Sequence, residues 1–371
     1  PVGLGPFATE IAVLDSGAVT GHEDLAGALL GGRNTLATPP TEDPRPESYD
    51  GKLHYHGTHV TGIAGALTHN KKGIAGGSSA RIRPVRIGGR EPSDVAFNLG
   101  VAWAISQGAR IINFSAGGPN NSPAYEGAGR QVRAAGALLI AAAGNDWGQP
   151  VSFPAALSRA STTNHVLSVA GTELPWMQVG DPKRELCARL AAKPSQYQEP
   201  EVAAAFSNLG AENDLSAPAA LIESTRPEGD YRCASGTSFA APQVAAAAAA
   251  IWSWVPNCAG ADCPDKALRV RDLLLGRPEW PLLGAARVPA VELGLGAGLG
   301  RGRLDLTGRL AVNLYGTRYT GATAALETTG TLVTRLNGPR GAWNGAANLP
   351  PPPVKLPGEG VHPAWSPSRD W

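Results

Sequence analysis

Short apolar runs that stop abruptly on small polar residues, each followed by a stretch with helical spacing, set the layout of this chain. Ile11–Leu14 ends on Asp15-Ser16-Gly17, Ile111–Phe114 ends on Ser115-Ala116-Gly117-Gly118, and Ala137–Ala143 ends on Gly144-Asn145. Arg81–Ile87 and His165–Ala170 are further strand candidates. A short apolar run bounded by turn residues reads as a strand buried in a parallel sheet. Between these runs, His56–Leu67, Asp94–Gln107 and Tyr125–Ala135 carry helical spacing, and Gly108 and Gly136 close the last two. Such alternation predicts an α/β fold with a mainly parallel sheet and helices on both faces. Residues 31–55, rich in Gly, Pro and charge, are expected to be loop. Residues 174–201 break the rhythm as a polar surface insertion. A helix is expected over 242–255, and its apolar part, Val244–Val255, is too short to cross a bilayer and reads as buried. Val270–Leu275 and Arg303–Val312 are expected short elements. Thr320–Arg335 looks like a hairpin around Thr329-Gly330, and 336–371 is a proline-rich tail, so 311–371 is read as a C-terminal extension.

Composition narrows the function classes. The chain has 371 residues and a net charge of +1, which gives no electrostatic footprint for nucleic acid. No apolar segment reaches membrane-spanning length. The sequence opens on Pro1 without a charged-then-apolar leader, the expectation for a processed or trimmed form in which any export signal is out of view. Four cysteines allow three complete pairings. Cys258 and Cys263 can close a small loop, leaving Cys187 for Cys233; four free thiols are the alternative. The reading favours disulfides and an extracellular setting. With no CxxC pair a zinc site is not expected, and the HxxH spacing of His56 and His59 lacks the glutamate of a metalloprotease.

The polar residues at strand and helix ends carry chemistry together. Functional groups in open α/β sheets collect at the carboxyl ends of strands. Asp15 and Asn145 sit at such ends, while His56 and Ser238 sit at helix starts. Cleaving an amide with serine needs a base, a carboxylate that fixes the base's tautomer, and donors for the developing oxyanion. Asp15, His56 and Ser238 supply the first groups; the Asn145 amide and the Ser238 N–H supply the donors. Gly57 allows close chain approach to His56, and Gly236 leaves room beside the nucleophile. Pro242 is expected in a first helical turn, where its missing N–H is no loss.

Taken in order, AVLDSG (12–17), HGTHVTGIAGA (56–66), AAAGN (141–145) and SGTSFAAP (235–242) resemble a subtilisin-like serine protease. NFSAGG (113–118) and AFSNLGAENDLSAP (205–218) add to the resemblance, which covers roughly residues 10–310. It implies a doubly wound three-layer α/β/α fold with a mainly parallel central sheet, and a catalytic domain over 1–310. It implies an endopeptidase acting through an acyl-enzyme, with Asp15 as acid, His56 as base, Ser238 as nucleophile and Asn145 with Ser238 as the oxyanion hole. An extended substrate would lie along Ile112–Gly118. The S1 pocket would be lined by Ser115, Ala116, Gly117, Gly118, Ala143 and Gly144, with Ser152 near its base.

Departures from the family pattern sharpen the expectations. Phe239 follows the nucleophile where methionine is usual, so the site should resist peroxide; its bulk would crowd the pocket. Gln243 replaces a common histidine. No cofactor is required for the chemistry. Calcium is common in the family, and the loop Leu67–Gly77 offers Asn70 and carbonyls, with Asp24 near; Lys71 and Lys72 oppose a cation, and no ligand set follows. The family also implies a propeptide, absent from this chain, as folding aid and inhibitor. A polypeptide substrate, a monomer, secretion, no nucleic acid and no membrane complete the expectation. Gly117 and Gly118 suggest an open S1 entrance and large apolar P1 residues; an acidic pocket base drawn from Glu173, Asp181 or Glu185 would instead favour basic ones. His59 is expected to pack behind the site. The alternatives are a narrow-specificity processing protease and, in another class, an occluded peptide-binding scaffold.

Overall fold

The computed structural model describes residues 9–275, apart from 50, 69, 90, 148, 174–201, 256 and 258–264. In chain order it shows β1 (Glu10–Asp15), β2 (Arg33–Asn34), β3 (Ser48–Tyr49), β4 (Lys52–Leu53), α1 (His56–Gly65), β5 (Arg81–Arg86), α2 (Asp94–Ser106), β6 (Ile111–Phe114), α3 (Pro123–Ala134) and β7 (Leu138–Ala142). There follow a 3-10 turn (Ala155–Arg159), β8 (Val166–Glu173), β9 (Val202–Ala203), β10 (Leu215–Pro218), β11 (Ile222–Thr225), β12 (Tyr231–Ala234), α4 (Thr237–Trp254) and α5 (Lys266–Leu274).

The main sheet runs β10-β8-β7-β6-β1-β5-β2, with β9 beside β8. Its pairs are parallel except β8 with β9. β5 lies on one side of β1; β6, β7 and β8 then build outward on the other. The carboxyl ends of β1 and β6 therefore flank a topological switch point, where ligands of open α/β sheets bind. Asp15 ends β1 and Ser115 follows β6.

Strand alternation separates two cores. Ile11 and Val13 join the cluster of α1 and α4, with Val60, Ile63, Val244 and Ala245. Ala12 and Leu14 join the cluster of α2 and α3, with Phe97, Val101 and Val132. The sheet thus has a helical layer on each face. α4 can occupy the crowded layer because its side chains are small: Ala240, Ala241, Ala245, Ala246, Ala247 and Ala248 are all fully buried. Enlarging one of them would overpack the interface, at about 1–3 kcal/mol.

Most expected elements appear within a few residues of their predicted bounds. The 31–55 region is not all loop: β2 pairs with β5, and β3 with β4. The larger correction concerns α4, which starts at Thr237 rather than 242 and so encloses Pro242. The ring is not in the first turn, and its missing N–H leaves the Ser238 carbonyl without its usual helical donor. The Ser115 hydroxyl donates to that carbonyl instead, at 2.7 Å. The 174–201 insertion, Arg303–Val312, the Thr320–Arg335 hairpin and the 336–371 tail lie outside the described residues, as do Cys187, Cys258 and Cys263. Cys233, in β12, is disulfide-bonded.

The expected element at Val270–Leu275 is part of α5, which charged side chains dock onto the domain. Arg271 Nη2 meets Asp214 Oδ1 at 3.1 Å, both groups buried. Burial pushes the Asp214 carboxyl up, against the pull of Arg271 and the Ser168 N–H. Asp265 caps α5 by accepting the Ala267 N–H at 2.8 Å, and its other oxygen lies 3.0 Å from His165 Nε2. Burial pushes the His165 imidazole below its ordinary value, with Asp265 pulling the other way. Protonation of His165 therefore favours the unfolded chain, and its contribution is lost as pH falls through the ordinary histidine range. Asp265→Ala should cost about 1 kcal/mol at pH 8 through the lost cap. The loss should be larger at pH 5.5, where His165 would lack its counter-charge. Denaturant midpoints of an inactive Ser238→Ala background at the two pH values check both.

Candidate active site

β1 delivers Asp15 into the switch-point crevice, and α1 starts at His56 beside it. The His56 Nδ1–H donates to Asp15 Oδ1 at 2.8 Å, and the Ser16 N–H donates to the same oxygen at 2.7 Å. Exposure is 1% for Asp15 and 4% for His56. A carboxylate accepting from Nδ1 places the ring proton there and makes Nε2 the basic nitrogen. The approach of the two elements is close: a Cβ on Gly57 would come within 2.2 Å of the Gly17 carbonyl oxygen. The Gly57 N–H donates to Ser16 Oγ at 3.0 Å, which ties the start of α1 to the end of β1.

Ser238 is the second residue of α4. Gly236, with φ of 155°, makes the sharp entry that β-carbon residues avoid. The Ser238 N–H belongs to the first helical turn, whose donors have no acceptor within the helix. Its hydroxyl donates to the Ser115 carbonyl oxygen at 2.9 Å. A serine hydroxyl has one hydrogen, so at rest that hydrogen is on Ser115, and general-base attack requires a turn toward His56. In the reverse direction Ser115 Oγ donates to the Ser238 carbonyl and accepts from Asn113 Nδ2 at 2.9 Å. The end of β6 and the start of α4 are thus laced together through both the hydroxyl and the carbonyl of Ser238.

Asn145 is fixed by Thr237. Its Oδ1 accepts from the Thr237 N–H and from the Thr237 hydroxyl, both at 2.8 Å. With the oxygen turned to Thr237, the Nδ2 end is the one directed away from α4. The sequence motifs alone assign no role to Thr237 or Asn113. Thr237 lies inside the SGTSFAAP block, and that block is the only signal of it in the sequence.

Ser152 and Phe153 close against the 115–118 segment. Gly118 and Phe153 exchange two backbone hydrogen bonds, at 3.0 and 2.8 Å, and the Ser152 N–H donates to the Ala143 carbonyl at 2.8 Å. A Cβ on Gly117 would meet Phe153 O at 2.7 Å and Ser152 Cβ at 3.1 Å, and one on Gly144 would meet Ser152 Oγ at 2.4 Å. Ser115, Ala116, Gly117, Gly118, Ala143, Gly144 and Ser152 are therefore brought to one place. Gly117 is needed for the close contact with Ser152 and Phe153, while a Cβ on Gly118 would meet nothing within 4 Å. Glu173 is buried and accepts the Ala205 N–H. Asp181 and Glu185 lie outside the described residues.

Phe239 is fully buried behind this constellation. Its ring centroid is 5.5 Å from that of His56 and 4.6 Å from that of His59. His59 is fully buried too, its Nε2 at 3.0 Å from the Ile222 carbonyl, a packing position behind the site. Gln243 Nε2 donates to the Pro218 and Phe239 carbonyls at 2.7 and 2.8 Å, which fastens α4 to β10.

In the 67–77 loop, Asn70 Nδ2 donates to Asp24 Oδ1, and Asp24 Oδ2 accepts the Ile74 N–H at 2.9 Å and the Tyr231 hydroxyl at 3.0 Å. Burial, then this carboxylate, pushes the Tyr231 phenol up. Lys72 turns away to Glu23, at 2.6 Å. Among the described residues no group of three His, Cys, Asp or Glu side chains is disposed to hold a metal.

Two variants test these contacts. Thr237→Val keeps the backbone donor but removes the hydroxyl that turns Asn145, and should lower kcat about tenfold with KM little changed. Phe239→Met restores an oxidisable sulfur beside His56, so peroxide should inactivate the variant and spare the parent in a residual-activity assay.

Comparison with known proteins places the chain in a family. The family model described as the subtilase family matches residues 8–277. Thermitase of Thermoactinomyces vulgaris is 32% identical over 242 residues, 64% of this chain and 73% of that protein. The major intracellular serine protease of Bacillus subtilis is 32% identical over 254 residues, 66% of this chain and 68% of that protein. Among solved structures, one titled S41 psychrophilic protease matches with a TM-score of 0.57 and 26% identity, over 72% of this chain and 82% of that one. With a switch-point crevice that gathers a buried Asp–His pair, a serine at a helix start and a fixed asparagine amide, and with the family match spanning nearly all described residues, this chain belongs to the subtilase family and is a serine endopeptidase of the subtilisin type.

Proposed function

We propose that Ser238 cleaves extended polypeptides through an acyl-enzyme, with His56 as the base, Asp15 as its anchor, and Asn145 and the Ser238 N–H as the oxyanion hole. The observation that carries this reading is the buried Asp15–His56 bond at 2.8 Å, formed across 41 residues of chain in the crevice that holds Ser238. Ser238 Oγ bonds to the scissile carbonyl carbon as its proton passes to His56 Nε2. The oxyanion then sits between the Asn145 amide and the Ser238 N–H. Collapse breaks the C–N bond, and His56 returns the proton to the leaving amine. Water repeats the sequence on the ester and frees Ser238.

An apolar P1 side chain suits this site. The S1 candidates Ala116, Gly117, Ala143, Gly144 and Ser152 carry no charge, and Glu173 is held by Ala205. Cleavage at large apolar residues with broad tolerance is the reading; a single narrow cleavage motif on a peptide library would replace it with a processing protease. The catalytic domain is taken as 1–310, with the 174–201 insertion and the 311–371 extension shaping access. A propeptide acts as folding aid and inhibitor of a monomeric, secreted enzyme, a setting supported by the Cys233 disulfide. The residues around the 67–77 loop do not fit a structural Ca²⁺: both Asp24 oxygens accept hydrogen bonds, and Asn70 turns its Nδ2 donor, not its oxygen, to the carboxylate.

A serine-reactive fluorophosphonate read by intact mass should give one adduct per chain, absent in Ser238→Ala. Asn145→Ala should lower kcat by about 10²–10³, the size of the effect in subtilisin, a member of the same family, carried over to this site. No adduct on the folded protein would replace the catalytic reading with an occluded peptide-binding scaffold.

A further inference from the structure

The β11–β12 hairpin leads the chain into Ser238, and one of its side chains is a cation seated on an aromatic ring, with no counter-ion among the described residues. The Arg232 guanidinium carbon lies 4.1 Å from the centroid of the Tyr55 ring. Among the described residues Arg232 forms no ion pair, whereas Arg226 in the same hairpin meets Glu228 and Asp230. Other arginines beside carboxylates are paired in the same way: Arg83 with Glu10, Arg86 with Glu47, Arg271 with Asp214. A guanidinium over an aromatic face is held in orientation without being neutralised.

The place of this charge matters. Tyr55 directly precedes His56, and the two rings are 6.4 Å apart between centroids. Arg232 therefore stands one aromatic ring from the base. Alternation along β12 turns Tyr231 to Asp24 on one side and Arg232 to Tyr55 on the other. The acyl half of a substrate has its own walls, the 115–118 segment closed by Ser152 and Phe153. His56 returns its proton to the leaving amine, so the leaving half passes His56, whose chain neighbour Tyr55 carries Arg232.

We propose that Arg232, seated on Tyr55, is a specificity residue for the leaving half of the substrate, and that it favours an acidic side chain among the first three residues after the scissile bond. The assignment rests on the catalytic reading above. It concerns a different part of the substrate from the apolar P1 pocket, so the two preferences combine: an apolar residue before the cut and a carboxylate after it.

The test uses internally quenched peptides with one constant acyl half and Glu, Gln or Lys placed in turn at P1′, P2′ and P3′. The wild-type chain should show a kcat/KM for Glu over Lys of about threefold to fivefold at one of these positions, the size of an exposed ion pair. That ratio should fall to about one in Arg232→Gln, invert in Arg232→Glu, and shrink in high salt. A salt-sensitive preference in the wild type also tests the charge without any variant. A wild-type ratio of one at all three positions, or a ratio that survives Arg232→Gln, overturns the proposal. The acyl half as a p-nitroanilide, which presents no residue after the cut, separates the two readings. Failure of the wild type to hydrolyse it rejects the catalytic assignment itself, and hydrolysis without a charge preference rejects only the role of Arg232.

Discussion

The exchange of hydrogen bonds between Ser115 and Ser238 is the contact on which the site depends. Pro242 inside α4 withholds a helical donor from the Ser238 carbonyl, and the Ser115 hydroxyl replaces it at 2.7 Å. The Ser238 hydroxyl rests on the Ser115 carbonyl at 2.9 Å. A proline that would ordinarily kink a helix here opens a carbonyl to the strand end beside it. The residue proposed for the substrate rail thus fixes the backbone of the proposed nucleophile. A shift of α4 along the sheet would break both bonds, and the fully buried alanines of α4 resist such a shift by close packing.

From that junction the other groups follow by short connections. Thr237, one residue before the nucleophile, turns Asn145 at the end of β7. Phe239, one residue after it, packs against His56 and His59. His56 is bonded to Asp15 at the end of β1. Three consecutive residues of α4 are therefore joined, directly or through His56, to all the other groups of the proposed site. Preorganisation of this kind is what gives aligned donors and bases their effect, because little has to move as charge develops.

Around His56 the surroundings divide by function. Behind the ring lies a dry aromatic wall of Phe239 and His59. Beside it Tyr55 carries Arg232, and the hairpin that supplies Arg232 is anchored separately, by Tyr231 on Asp24. An arginine held on a ring keeps its charge, as the proposal for Arg232 requires, whereas Arg226 is paired with Glu228 and Asp230.

The sequence by itself determined the sheet-and-helix alternation, the strand ends that carry Asp15 and Asn145, and the residue types required for serine-based amide cleavage. These are local signals: apolar runs of strand length, helical spacing, and small residues where elements meet. It did not determine where α4 begins, since alanine-rich sequence fits a helix starting at either 237 or 242, and only the bond of Ser115 to Ser238 makes an internal Pro242 acceptable. Nor did it fix the orientation of Asn145 by Thr237 or the seat of Arg232 on Tyr55. Those contacts join residues 92 and 177 positions apart in sequence. The tertiary structure decided them, because hydrogen bonds and ring contacts across such separations depend on how strands order themselves in the sheet, which no local pattern of side chains records.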